Sequence, residues 1–369
     1  MSGRGESARY IVLTPGITGA DGIAELSRLV VRALDPFDAE SASPRVDVLS
    51  LTDPPGLRLS DREGVRFFGA GARRSRFVAA AIRAGVGGAR SARVLCLHLH
   101  LSPVTHLFAR WSQLAVFLHG IEAWRPLRGM ERVALRRAGI VMANSEHTVT
   151  RFRAANPVFR DRFVSVCHLA VRDRDRLGVE LESSYHVGGA RPPFALIVGR
   201  MAAEERYKGH DVLIDIWPSV VDEVRGARLI VVGDGDDRAR LEARAAHLKD
   251  HLSFLGRVSD GVLSSLYRDC AFFVMPSRDE GFGLVFLEAM QAGKACIGCV
   301  GAAAEVIEDG VTGFVVEQDR EQVLRAVLRL FRESETRELM GEAGAARVAR
   351  EFTEAHFRLR FRSLLGLQP

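Results

Sequence analysis

Lysine is almost missing from this chain: Lys208, Lys249 and Lys294 are its only three, beside many arginines. The five cysteines (Cys96, Cys167, Cys270, Cys296, Cys299) are odd in number and scattered, which excludes a disulfide framework. Cys296 and Cys299 do form a CxxC, but a zinc site needs a second pair or histidines close by, so two buried strand thiols are expected. No uncharged apolar run approaches the ~18 residues of a membrane-spanning helix. The longest candidate, residues 94–109, is broken by three histidines and a proline. The apolar run from Tyr10 to Leu13 is too short for a signal peptide, so a cytoplasmic protein is expected. Zinc-finger spacing and an aromatic-basic RNA signature are both absent, which argues against nucleic acid as a partner. Nor is there an internal repeat or a low-complexity tract.

What is present is a globular composition, 47% hydrophobic and 26% charged, over 369 residues, enough for two domains. Charge is uneven. Residues 1–190 hold 27 arginines against 18 acids, whereas residues 191–369 hold 24 basic residues against 28 acids. The first half should therefore face something anionic. Short apolar strands alternate with amphipathic helices in both halves. Strands are expected at 9–13, 45–51, 93–99, 113–119, 139–144 and 163–169, then at 194–199, 227–233, 252–256, 271–276, 294–299 and 313–316. Fully apolar strands between helices mean a parallel sheet covered on both faces. The polar stretch 172–193 reads as a linker. The expected fold is thus α/β, with two doubly wound Rossmann-like domains facing a central cleft. Residues 1–185 form one and 186–350 the other, and an amphipathic terminal helix over 351–369 packs back on the first.

Ligands of such sheets bind beyond the carboxyl ends of the strands. Four loops fall there. TPGITGADGIAEL (14–26) carries Gly16 and Gly19 ahead of a helix, where backbone can approach a phosphate. VGRMAAEERYKGH (198–210) carries Arg200 and the rare Lys208, a point charge suited to phosphate. VVGDGDDRARL (231–241) contains Gly233 but lacks the third glycine of a dinucleotide fingerprint, and its aspartates are expected to cap the next helix. Outside these four, QAGKAC (291–296) has neither the leading glycine nor the Ser/Thr of a P-loop.

The fourth loop, SRDEGFGLVFLEAM (277–290), is the most telling. A strand, a turn and a helix from Phe282 to Gly293 would place the amides of Phe282, Gly283 and Leu284 at a helix start, an anion cradle for a diphosphate. Glu280 stands just outside it. Glu288 lies within the helix among Val285, Phe286, Leu287 and Ala289, where an ionised acid needs a reason. A carboxylate accepting two vicinal hydroxyls is the simplest way to hold a sugar.

Glu280-Gly-Phe-Gly-Leu-Val-Phe-Leu-Glu288 resembles the paired glutamates of the retaining GT-B glycosyltransferases of glycosyltransferase family 4. The resemblance extends over 288–316, 198–214 and 231–236, and more loosely over 14–26, 117–124 and 143–148. It implies that Glu280 contacts the transferred sugar and Glu288 the nucleoside ribose. Arg200 and Lys208 would neutralise the leaving diphosphate, although the long loop leaves Arg206 as an alternative to Arg200. Gly16 and Gly19 would reach the donor phosphate from the other domain, and His119, ending an apolar strand, would lie near the donor sugar.

The activity expected is sugar transfer from a UDP- or GDP-linked donor to a saccharide or lipid-linked acceptor, with retained anomeric configuration, no metal and no cofactor. A nucleotide-sugar epimerase of the same architecture and a non-catalytic nucleotide-sugar-binding protein are the rivals. Residues 65–85 carry Arg66, Arg73, Arg74, Arg76 and Arg83 interleaved with Phe67, Phe68 and Phe77. As a helix they would suit an anionic membrane surface, or equally a solvated face over buried phenylalanines.

Overall fold

The computed structural model describes residues 9–19, 21–34, 45–57, 64–86, 92–108, 113–172 and 193–367. Most of the expected linker, 173–192, lies outside them. The chain divides into two compact units: Met1–Leu169 with Glu354–Pro369, and Ala170–Thr353.

Among the described residues the first unit is built on β1 (Arg9–Thr14), β2 (Arg45–Ser50), β3 (Val65–Gly69), β4 (Arg93–Cys96), β5 (Leu114–Leu118), β6 (Ile140–Ala143) and β7 (Ser165–Val166). They form one sheet in the order β3-β2-β1-β4-β5-β6-β7, and every pairing is parallel. The apolar runs explain the centre: each residue of β5 is buried, and a buried Leu or Val contributes about 2 kcal/mol. The helix Gly22–Ala33 turns Leu26, Leu29 and Val30 inward, and Asp21 caps it by accepting from the Ala24 amide. The last helix, Glu354–Leu364, packs on Gly22–Ala33. Glu354 pairs with Arg32 at 2.9 Å, and the buried Arg362 donates to the Ala33 carbonyl.

One correction concerns 65–85. It is not a single helix: Val65–Gly69 is edge strand β3, and the helix runs from Arg74 to Val86. Phe77 is buried, Phe67 and Phe68 lie partly buried on the strand, and Arg66 pairs with the buried Asp47, which also holds Arg9. Arg73, Arg74, Arg76 and Arg83 remain exposed.

The second unit contains β8 (Phe194–Val198), β9 (Arg228–Val232), β10 (Leu252–Gly256), β11 (Phe272–Met275), β12 (Cys296–Cys299) and β13 (Gly313–Val316). Their order, β10-β9-β8-β11-β12-β13, repeats the first pattern. In each sheet the order reverses beside the first strand, between β1 and β4 and between β8 and β11, where doubly wound sheets open a crevice. Cys296 and Cys299 are buried free thiols, as the strand reading requires.

Candidate active site

At the β8/β11 reversal the loop after β8 meets the loop after β11. The first ends in a short 3-10 segment, Ala203–Lys208, and Gly209 (φ 87°) closes it against the Pro276 carbonyl, an approach that leaves no room for a side chain. Lys208 Nζ there lies 2.9 Å from Glu280 Oε1, and both side chains are largely buried. Ser277 Oγ donates to the same oxygen at 3.1 Å. Two residues distant by 72 positions are thus brought together. Arg200 is exposed and pairs with Glu205. Arg206 instead makes two hydrogen bonds to Asp237, at 3.0 and 2.7 Å.

The helix after Glu280 starts at Leu284, two residues later than expected, and runs to Gln291 with Gly283 as its N-cap. Gly283 has φ 91°, and a Cβ there would press on the Phe286 ring. The amides of Gly283 and Leu284 have no acceptor among the described residues. Phe282 is buried, its ring 6.2 Å from that of Phe352. Glu288 is four residues beyond Leu284, about 6 Å along the axis. Its Oε2 accepts from the hydroxyl of Tyr267 at 2.8 Å, and that tyrosine ring is fully buried. The hydrogen bond is the reason an acid is tolerated on an apolar helix.

Gly233 follows β9 with φ 132°, its Cα face against the Gly199 carbonyl. The aspartates that follow act differently from helix caps. Asp237 makes no side-chain capping bond. It holds Arg206 and Arg240 instead, and these two guanidiniums, Arg240 foremost, hold its carboxyl far below the usual range. Asp236 Oδ1 accepts from the Ala203 amide at 2.9 Å, and the Asp234 carbonyl from the Met201 amide at 3.0 Å. The three fasten the Arg200–Lys208 loop to the loop after β9.

In the first unit, His119 follows β5 and is buried. Its Nε2 faces the Leu97 carbonyl at 2.5 Å, so that nitrogen donates. The Glu122 carboxylate accepts from the His119 amide at 2.7 Å, and Asn144 donates to its carbonyl at 2.7 Å. His98, after β4, stacks on it with ring centroids 5.7 Å apart. Burial lowers the His98 pKa to about 4, with His119 and His100 adding to the shift against Glu122 and Asp21.

The glycine loop after β1 is held from behind by one carboxylate. Asp53, nearly buried beside β2, accepts from the Ile17 amide (2.7 Å), the Thr18 amide (3.3 Å), the Thr18 hydroxyl and the Ser50 hydroxyl (2.7 Å). Burial opposes its charge, yet these bonds together hold its pKa below the usual value. The amides between Gly16 and Gly19 are therefore committed inside the protein.

Sequence reasoning missed His98, Asp53 and Tyr267, whose partners His119, Ile17 and Glu288 are remote in sequence, and Ser277, which bonds Glu280 within its own loop. Among the described residues no three His, Cys, Asp or Glu side chains cluster as metal ligands.

Residues 192–333 match the family model described as Glycosyl transferases group 1. Among curated proteins the chain is similar to the GDP-mannose-dependent alpha-(1-6)-phosphatidylinositol monomannoside mannosyltransferase of Mycobacterium tuberculosis, 30% identical over 273 residues, covering 67% of this chain and 66% of that protein. Among solved structures it is similar to the sucrose-phosphate synthase of Thermosynechococcus elongatus, with a TM-score of 0.72, 17% identity and 97% and 98% of the two chains covered. It is also similar to HepE of Anabaena, solved with UDP and glucose: TM-score 0.69, 19% identity, 98% and 100% covered. The chain spans less than two thirds of the length of the curated relatives it matches, 46% to 66% for the first of them. The chain has the GT-B fold, and residues 192–333 of it are similar to the Glycosyl transferases group 1.

Proposed function

We propose that this protein is a retaining glycosyltransferase that moves a sugar from a nucleoside diphosphate donor to a hydroxyl of a saccharide or lipid-linked acceptor, in the synthesis of a surface polysaccharide or glycolipid. The observation that carries the proposal is the Lys208–Glu280 pair at 2.9 Å, beside a helix start whose Gly283 and Leu284 amides are unpartnered among the described residues. A diphosphate laid over those amides takes Lys208 as its counter-charge and frees Glu280 for sugar hydroxyls. Glu288 accepts the ribose hydroxyls while Tyr267 holds it in place. Arg200, on an exposed loop, completes the neutralisation, and Arg206 stays with Asp237. As the bond from the sugar to the diphosphate breaks, negative charge grows on the phosphate, and fixed cations and amides stabilise it. The acceptor oxygen bonds to the same carbon on the same face, and its proton passes to the leaving phosphate.

The names of the relatives support a donor of the UDP or GDP kind and a lipid-borne saccharide as one class of acceptor. The exposed Arg73, Arg74, Arg76 and Arg83 support contact with an anionic membrane.

Thermal-shift screening with UDP- and GDP-sugars identifies the donor. Replacement Lys208→Ala should lower turnover by about a hundredfold or more and leave far-ultraviolet dichroism unchanged. Near-normal turnover by Lys208→Ala would remove the assignment. Product NMR should show retained anomeric configuration, and activity should survive excess EDTA. Conversion of donor without any acceptor would favour an epimerase.

A further inference from the structure

Lys208 reaches Glu280 from a segment that apolar packing does not hold, since no residue of Ala203–Lys208 is buried. Polar bonds set its place. At its start they come from the loop after β9, through Asp236 and Asp237. At its end, where Lys208 stands, they come from elsewhere. The Tyr207 carbonyl accepts from the Arg278 amide at 3.2 Å and from Gln318 Nε2 at 2.7 Å. The same Gln318 nitrogen donates to the Pro276 carbonyl at 2.6 Å. Both acceptors are carbonyls, so the atom facing them is the amide nitrogen, and both of its N–H groups are spent. Among the described residues the Pro276 carbonyl has no other donor.

Gln318 lies 111 positions from Tyr207 and 42 from Pro276. It follows β13, and the backbone is pinned on either side of it. Val316 pairs with Cys299 of β12. The Glu317 amide donates to Gln322 Oε1 at 3.2 Å. Asp319 accepts from the Glu321 and Gln322 amides at 3.1 and 3.0 Å, capping the helix Arg320–Arg332. Gln318 thus projects from a fixed post onto the residue before Lys208 and the residue before Ser277, in whose loop Glu280 stands. Gly209 allows the approach, because a Cβ there would fall 2.5 Å from the Pro276 oxygen.

We propose that Gln318 is a positioning residue that sets the spacing of Lys208 from Glu280. Without it the bond from Arg278 to Tyr207 remains as a hinge. The clamp rests on its two hydrogen bonds; what the spacing serves rests on the transferase reading. A lysine held at a fixed distance from the sugar-holding acid meets negative charge as it grows on the leaving diphosphate.

The test exploits the three lysines of the chain. The full-length protein labelled with carbon-13 at lysine Cε gives one signal for each, and Lys208→Arg identifies that of Lys208. Gln318→Met keeps the side-chain length and removes the donors, whereas Gln318→Asn keeps the donors and withdraws them by one methylene. Without ligand, each should shift or broaden the Lys208 signal and leave those of Lys249 and Lys294 in place. Turnover is read as hydrolysis of whichever of UDP-glucose and GDP-mannose gives the larger thermal shift. Each substitution should lower its kcat about tenfold and change KM less than about threefold. A Lys208 signal unmoved by either substitution overturns the positioning role, as does a raised KM with unchanged kcat. Where Gln318→Met disturbs all three signals, Gln318→Asn decides, and general disturbance by both also overturns it. Failure of UDP and GDP alike to move the wild-type Lys208 signal overturns the transferase reading instead, and leaves the ligand-free result for Gln318 standing.

Discussion

Acidification should loosen the first unit through His98. The ring is 9% exposed at the end of β4, with Nδ1 accepting from the His100 amide at 3.2 Å. Burial, with His119 and His100 adding, holds its pKa near 4 against an ordinary 6.5. An unfolded chain thus takes up the proton near pH 6.5, and the folded one only near pH 4. Stability is complete above about pH 6.5, erodes as pH falls through that window, and levels off below about pH 4. Linkage gives a loss of about 2 kcal/mol at about pH 5, within a limit of about 3 kcal/mol for the whole shift. Hydrogen exchange over residues 93–118, corrected for intrinsic rates, should therefore show protection about thirtyfold lower near pH 5 than near pH 7.5. His98→Gln, which retains an acceptor for the His100 amide, should flatten that dependence. An unchanged pH slope in His98→Gln, or a His98 ring proton that titrates near 6.5, would refute the reasoning.

Two further outcomes follow from the second unit. Asp237→Ala leaves Arg206 and Arg240 without the carboxylate they share, so the Arg200–Lys208 loop should loosen. The KM for donor should rise roughly tenfold with a smaller change in kcat, and an unchanged KM would mean that the loop is held by its backbone bonds alone. Gly233→Ala places a methyl group into the Gly199 carbonyl on a positive-φ residue and should cost about 3 kcal/mol, seen as a lower midpoint in urea.

Strands with a continuous apolar run were legible because burial on both faces writes itself into composition: Leu114–Leu118, Phe272–Met275 and Phe194–Val198 all fall where expected. Strand β3 was not, for a physical reason. Among the described residues it pairs only with β2, and its side chains are partly exposed. Arg66 can sit there on Asp47, and the interleaved phenylalanines imitate a helix. The paired glutamates and Lys208 drew notice in the sequence because an acid in an apolar helix and a rare lysine by a glycine stand out locally. Their partners did not. Tyr267 reaches Glu288 from 21 positions away, and Asp237 reaches Arg206 from 31. Local pattern assigned Asp234 and Asp236 to capping because nothing within ten residues discloses a loop from the neighbouring strand.

The pairing of Lys208 with Glu280 answers why a carboxylate stands in a glycine-rich turn. Each side chain is 15% exposed, and burying either alone would leave an uncompensated charge costing several kcal/mol. Side by side each has a partner at 2.9 Å, and Ser277 donates to the same Glu280 oxygen. Under the proposed function, a bound diphosphate would bring a new negative partner within reach of the same ammonium. The lysine would then change counter-ion without returning to water, and the released carboxylate would be left to hold the sugar. Glu280→Gln keeps the hydrogen-bonding oxygen but removes the counter-charge. On this logic it should weaken turnover more than donor binding, because free Lys208 still draws in the phosphate while the sugar loses its ionic acceptor.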